Sequence, residues 1–163
     1  MDEIAKMARS YQPGFIVVDR AVEGPNQNYL TPEQQIPDKP LSYPWETCMT
    51  MGGSWSYVKN EQYKSINEII YNLCLIVSRG GNYLLNIAPS ETGEWDSAAY
   101  VRLEEIGAWM RVNGESIYGT EPIAPYSQWK YKAQEWMFTS KLENGKWVVY
   151  AILMGNHDLN DKA

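Results

Sequence analysis

Short apolar runs alternate with amphipathic helical stretches through the first part of the chain, and that alternation calls for a parallel sheet with helical crossovers. Phe15-Ile16-Val17-Val18 is β-branched and does not alternate with polar residues, as a strand buried on both faces reads. Trp45-Glu46-Thr47-Cys48-Met49-Thr50 reads as a second strand, ended by Gly52-Gly53, and Asn82 to Ile87 as a third, closed by Pro89. Between them lie helical periods. Ile4, Met7, Ala8 and Tyr11 fall at i, i+3, i+4, i+7. Ser65 to Ser78 is the clearest helix, with Ile66, Ile69, Ile70, Leu73 and Val77 in one stripe. Ser65 with Glu68 forms a capping-box pair, and Gly80-Gly81 is the stop. Ser97 to Val112 carries Ala99, Leu103, Ile106 and Met110 on one face, with Asn113-Gly114 beyond it. The expected fold class is α/β. Polar residues gather where the strands end, first at Asp19-Arg20, and in a β/α barrel that end carries the chemistry. Three strands fall short of the eight a barrel needs.

Residues Ala21 to Pro44 hold Pro25, Pro32, Pro37, Pro40 and Pro44, which forbid a helix through that segment. A loop of this length inside a compact domain is usually functional. Beyond Pro122 to Pro125 the texture changes. Trp136 to Leu142 and Lys146 to Leu153 are strand-like runs around Asn144-Gly145, a two-residue hairpin signal. The expected division is therefore residues 1–122 and residues 123–163.

Composition narrows the function. The 163 residues carry a net charge of -6 without clustered Lys/Arg, against a nucleic-acid partner. No apolar run approaches the roughly 18–20 residues of a membrane span, and Met1 to Ser10 lacks the apolar core of a signal peptide. Two cysteines make no disulfide scaffold. With one histidine and no Cys-x-x-Cys there is no zinc spacing, so no metal or cofactor is called for. Gly80-Gly81 precedes a strand instead of following one, so it is not a phosphate loop. Seven Trp and twelve Tyr against two Phe suit sugar rings, and equally suit a core.

Each candidate residue has two readings. Glu33, in Leu30-Thr31-Pro32-Glu33-Gln34 beside Tyr29, is a general acid on a loop or a solvated surface carboxylate. Glu46, at the start of a buried strand, must find partners or stay protonated. It is either a catalytic or ligand-binding carboxyl or half of a structural ion pair, with Arg20 as the nearest candidate. Arg20 either grips a carboxylate or sugar hydroxyl at a strand end, or pairs with Asp19 or a loop carboxylate for structure. Trp45, Trp55 and Tyr57 stack on a sugar or pack the core. Cys48 and Cys74 read as buried thiols. His157 lies in the β-rich tail, away from the strand ends.

The order of motifs is informative where each alone is weak. Ile16-Val17-Val18-Asp19-Arg20, Tyr29-Leu30-Thr31-Pro32-Glu33, Trp45-Glu46-Thr47-Cys48 and Ser54-Trp55-Ser56-Tyr57 resemble the second half of the catalytic domain of α-L-fucosidases of glycoside hydrolase family 29. The likeness continues through Val77 to Pro89, Ile106-Gly107-Ala108-Trp109 and Asn113 to Thr120, roughly residues 1–125. The resemblance implies the last strands of a (β/α)8 TIM-like barrel followed by the start of a C-terminal all-β domain. It implies a retaining mechanism in which an Asp nucleophile and an acid/base carboxyl stand about 5–5.5 Å apart. The family's nucleophile lies on a strand before the Asp-Arg motif, so this chain is expected to be a fragment that lacks it and is inactive alone. Two carboxyls match motifs of the proton donor. Glu33 is preferred because a loop carboxyl reaches over the leaving group; Glu46 is the alternative, as acid/base or pocket residue. Arg20 resembles the family's pocket arginine, Trp55 a pocket wall, and Trp45 and Tyr57 flank the cleft. The implied substrate is a fucosylated oligosaccharide or glycoprotein glycan, with no membrane partner. Thr-Pro-Glu-Gln followed by Ile36-Pro37 looks closer to the branch acting on branched glycans. A secreted, periplasmic or lysosomal setting would fit. The competing reading is a non-catalytic carbohydrate-binding or structural remnant of the same barrel.

Overall fold

The computed structural model describes residues 2–18, 20, 24–39, 41, 43–123, 128–131 and 134–155. For residues 128, 129 and 131 it describes the backbone alone, and Asp19 and His157 lie outside the described residues. Strand β1 (Trp45–Thr50), helix α2 (Ile66–Ser78) and strand β2 (Gly81–Asn86) form one βαβ unit. β1 and β2 pair in parallel, in register from Trp45 opposite Gly81 to Thr50 opposite Asn86. Ser65 caps α2 by accepting a hydrogen bond from the Glu68 amide at 3.1 Å, and Gly80 ends the following turn at φ +79°.

The alternation of strand side chains sorts β1 into two faces. Tyr83, Leu85 and Ile87 pack with Met51, Ile69 and Ala99 under the helices. Their partners in register, Thr47 and Met49, are buried there with Trp45. Glu46, Cys48 and Thr50 face the other way, beside Asn82, Leu84 and Asn86. α2 is buried more broadly than its stripe: Cys74 and Ile76 are fully buried, and Ile69 and Ile70 are buried with them. Burial pushes the Cys74 thiol up to about 12. The neutral thiol is favoured in the fold, so its contribution to stability is complete below the ordinary thiol value of 9.0 and is lost as pH rises towards 12. Thermal melts across that window should fall more steeply for the wild type than for Cys74→Ala; parallel curves would refute the assignment.

The proline-rich segment holds a strand-like run that its composition hides. Leu30 bridges Trp45 and Glu33 bridges Cys48, both in parallel, and Val18 bridges Tyr29 in the same sense. The Glu46 amide donates to the Leu30 carbonyl at 3.0 Å, and the Gln34 amide to the Cys48 carbonyl at 2.9 Å. Four chain segments therefore run side by side: Val17–Val18, Tyr29–Glu33, β1 and β2.

One sequence expectation fails at the amino-terminal side. Among the described residues the Phe15 to Val18 run makes one bridge only, on one flank, and Phe15 and Ile16 are exposed instead of buried on both faces. Helix α1 (Asp2–Tyr11) forms as expected, but Ile4, Met7 and Tyr11 face solvent and Ala5 alone is buried. What seats α1 is Arg9, whose guanidinium donates to Phe15 and Asn26 carbonyl oxygens and to the Asn26 and Asn28 side chains.

Helix α3 (Ser97–Asn113) packs only Ala99 fully and runs into a single 3-10 turn, Gly114–Ser116. The antiparallel sheet that follows has four strands: β3 (Glu121–Pro122), β4 (Gln128–Tyr131), β5 (Gln134–Glu143) and β6 (Lys146–Met154). β5 and β6 meet at Asn144 and Gly145, with φ of 50° and 76°, as a type I′ turn requires. This is more than the single hairpin the sequence suggests. Its core is also shared with the first part, since Met137 of β5 packs with Ile70, Cys74 and Leu75 of α2 and with Ile117. The Thr139 hydroxyl donates to the Ser116 carbonyl at 2.7 Å, and the Tyr71 hydroxyl to Glu135 at 3.1 Å.

Candidate active site

The polar cluster of interest lies on the side of the parallel set away from the helices. Arg20 extends from the segment after Val18. Its guanidinium donates through Nη1 to Glu33 Oε2 at 2.6 Å and through Nη2 to Cys48 Sγ at 3.3 Å. The Cys48 hydrogen bond, ahead of the Glu33 contact, holds the Arg20 guanidinium above its ordinary range. Arg20 and Glu33 are each about half exposed, whereas Cys48 is buried.

Glu33 is held from its backbone. It bridges Cys48, and Gln34 anchors the next turn through its amide to Cys48 and its Nε2 to Thr50 Oγ1 at 3.1 Å. Gln34 has φ +54°, a left-handed conformation that costs a residue with a Cβ of order 1 kcal/mol or more. The Thr47 hydroxyl donates to the Gln35 carbonyl at 2.7 Å. These contacts clip the Thr31 to Gln35 segment along β1, and they point the carboxylate at Arg20.

The same bonds lead to the loop after β1. The Thr50 hydroxyl donates to the Gly52 carbonyl at 2.6 Å, and Lys64 Nζ donates to the carbonyls of Thr50 and Gly52 at 2.5 and 3.3 Å. Glu61 lies against Gly52, where a Cβ would come within 2.4 Å of it, and accepts from the Gly53 amide at 3.2 Å. Asn86, at the carboxyl end of β2, donates to the Trp55 carbonyl at 3.1 Å. Trp55 is thereby held at this end with 41% of its surface exposed. Tyr57 is half-buried and donates its hydroxyl to Asp96 at 3.1 Å; that carboxylate holds the phenol above its usual value.

The two remaining candidates stand elsewhere. Trp45 is 1% exposed, its ring lies where a Cβ on Gly81 would come within 2.4 Å, and its Nε1 donates to the Arg79 carbonyl at 3.3 Å. It is core on the helix side and offers no face to a ligand. Glu46 is half-buried, borders a cleft with Asn82 and Tyr118 to Pro122, and makes no ion pair among the described residues. The ion pair with Arg20 suggested for Glu46 is not formed, because Glu33 and Cys48 occupy the guanidinium. Glu46 also sits four residues before Thr50, roughly 13 Å below the carboxyl end of β1 at ~3.3 Å per residue. Cys48 is the Arg20 partner that sequence reasoning missed. The signal was available: Glu46, Cys48 and Thr50 share one face by strand alternation. Among the described residues no cluster could hold a metal ion, and no helix is long and apolar enough to cross a membrane.

The family profile for α-L-fucosidase matches residues 1–115. The chain belongs to the α-L-fucosidase family. Relatives include an α-L-fucosidase of Dictyostelium discoideum, 42% identical over 89 residues, covering 53% of this chain and 19% of that protein. A tissue α-L-fucosidase of Mus musculus is 42% identical over 108 residues, covering 62% of this chain and 24% of that one. Among solved structures, the Thermotoga maritima α-fucosidase superposes with a TM-score of 0.77 at 28% identity, over 93% of this chain and 34% of its own. The same enzyme in complex with fucose gives 0.70 at 30% identity, over 83% of this chain and 31% of its own. The chain thus spans about a fifth to a quarter of the first two curated relatives' length. Its structural neighbours are fucosidases of glycoside hydrolase family 29, whose catalytic domain is a TIM barrel, and the chain covers about a third of each.

Proposed function

We propose that this chain supplies the proton-transfer side of a retaining α-L-fucosidase site, with Glu33 as acid/base and the nucleophilic carboxylate contributed from outside residues 1–163. The four parallel segments are then the last part of a (β/α)8 barrel, and the sheet from Glu121 onward opens the C-terminal β-domain. The observation that carries this reading is the Glu33 carboxylate fixed by Arg20 at 2.6 Å on the face away from the helices. That face becomes the barrel interior, and the carboxyl ends of the strands, where Trp55 stands exposed, become its catalytic mouth.

Glu46 fits this role less well. It lies towards the amino end of β1, and barrel chemistry sits at the opposite end. Trp55 suits stacking against the sugar, and Tyr57 is held by Asp96. The substrate class is a glycan ending in α-L-fucose, which accords with the fucose bound by the Thermotoga relative.

In the first step the nucleophile's oxygen bonds to the anomeric carbon as the bond to the leaving oxygen breaks. The Glu33 proton passes to that oxygen. In the second step the Glu33 carboxylate takes a proton from water, the water oxygen bonds to the anomeric carbon, and the ester to the enzyme breaks. Two displacements retain configuration. The test is the anomer of the first-formed fucose, followed by proton NMR during hydrolysis of an aryl α-L-fucoside by the intact protein. α-L-Fucose appearing first supports the reading, and β-L-fucose first overturns it. Efficient hydrolysis by residues 1–163 alone would put the nucleophile inside the chain and contradict the division of the site.

A further inference from the structure

Cys48 has no role in the scheme above, yet its sulfur touches the centre of the cluster. The Arg20 guanidinium is held at two points, by Glu33 Oε2 and by Cys48 Sγ. These two contacts respond differently to catalysis. When Glu33 carries the proton it is a neutral partner, and its charge-assisted bond to Arg20 weakens; when it gives the proton up, the bond returns. The contact to sulfur does not change with that cycle. Cys48 is buried, and its backbone carbonyl accepts from Gln34, so the sulfur is tied to the segment that carries Glu33. A guanidinium anchored there keeps its fork in one plane through both steps, and returns Glu33 to one rotamer each time.

We propose that Cys48 is a positioning residue: its sulfur fixes Arg20, which in turn keeps Glu33 aimed at the leaving oxygen. This rests on Glu33 being the acid/base. The role separates from plain packing by what it does to leaving groups. Misplaced proton donation harms substrates whose leaving oxygen needs the proton, and spares those that depart unaided. A loosened core would slow all of them alike.

The experiment compares kcat/KM of the intact protein on aryl α-L-fucosides of graded phenol acidity and on a fucosyl disaccharide. Cys48→Val removes the acceptor at nearly constant volume. It should lose roughly 10- to 100-fold on the disaccharide and little on the most acidic phenol, while Cys48→Ser, which keeps an acceptor, should recover most of the loss. Should Cys48→Val fail to fold, Cys48→Ala carries the same test. Arg20→Met should show the same selectivity, and the double variant should add little to it. Equal losses on every substrate, or none, would overturn the proposal. Glu33→Ala separates the two levels. Steep leaving-group dependence there with none at Cys48 sinks this inference alone; none at Glu33 sinks the acid/base reading itself.

Discussion

Glu33→Ala is expected to lower turnover of unactivated fucosides by about 10²–10⁴-fold, the usual contribution of a positioned proton donor. The loss in kcat/KM should shrink as the leaving phenol becomes more acidic, because such an oxygen departs without the proton, whereas turnover stays slow because the second step still lacks its base. Folding should be nearly unaffected. The Glu33 side chain is about half exposed and its ion pair with Arg20 is open to solvent, the setting in which such pairs contribute little to stability. The backbone contacts that shape this segment run through Gln34, Gln35 and β1, and they survive removal of the carboxylate. Glu46→Ala should show no such leaving-group dependence. A steep dependence at Glu46 with none at Glu33 would reverse the assignment.

The second large effect separates two tryptophans. Trp45→Ala should destabilise the fold by about 3–5 kcal/mol, the range for deleting a fully buried large aromatic. Its ring fills the space above Gly81 between β1 and β2, and its loss also leaves the Arg79 carbonyl without the indole donor. The activity of the molecules that remain folded should be close to normal. Trp55→Ala should behave in the opposite way, shifting stability by only about 0.5 kcal/mol, as surface substitutions do, while raising KM. Urea denaturation and steady-state kinetics on the two variants decide it. A Trp45 variant of unchanged stability, or a Trp55 variant of unchanged KM, would contradict these placements.

The contrast between those residues marks what could be read from the chain. Both are tryptophans beside polar motifs, and residue type alone cannot tell a core ring from a pocket wall. Strand alternation could have done so for Trp45, since it shares a face with Thr47 and Met49 and not with Glu46 and Cys48. The βαβ unit was legible because periodicity, capping by Ser65 and the stop at Gly80 all agree. The Asn144-Gly145 hairpin was legible because that turn needs two residues at positive φ. The Tyr29–Glu33 run was not. Its proline, Pro32, argues against a strand, and its pairing comes from a partner segment that lies distant in sequence. The fate of Phe15 to Val18 and of the α1 stripe was hidden for a related reason. An apolar pattern states what could be buried, while the cover is decided by tertiary neighbours. The Arg20–Glu33–Cys48 cluster unites three separate motifs, and only the parallel register brings them together.

Glu33 is the centre of the mechanism, and azide tests its role most directly. In a variant that lacks the acid/base, the glycosyl-enzyme ester still forms from an activated aryl fucoside, and azide can attack it without needing a proton removed. The second displacement then gives a product of retained configuration. Glu33→Ala in the intact protein, given an acidic aryl α-L-fucoside and azide, should regain turnover and yield α-L-fucosyl azide. Formation of β-L-fucosyl azide would mark Glu33 as the nucleophile, and no rescue together with undiminished hydrolysis would remove it from the chemistry.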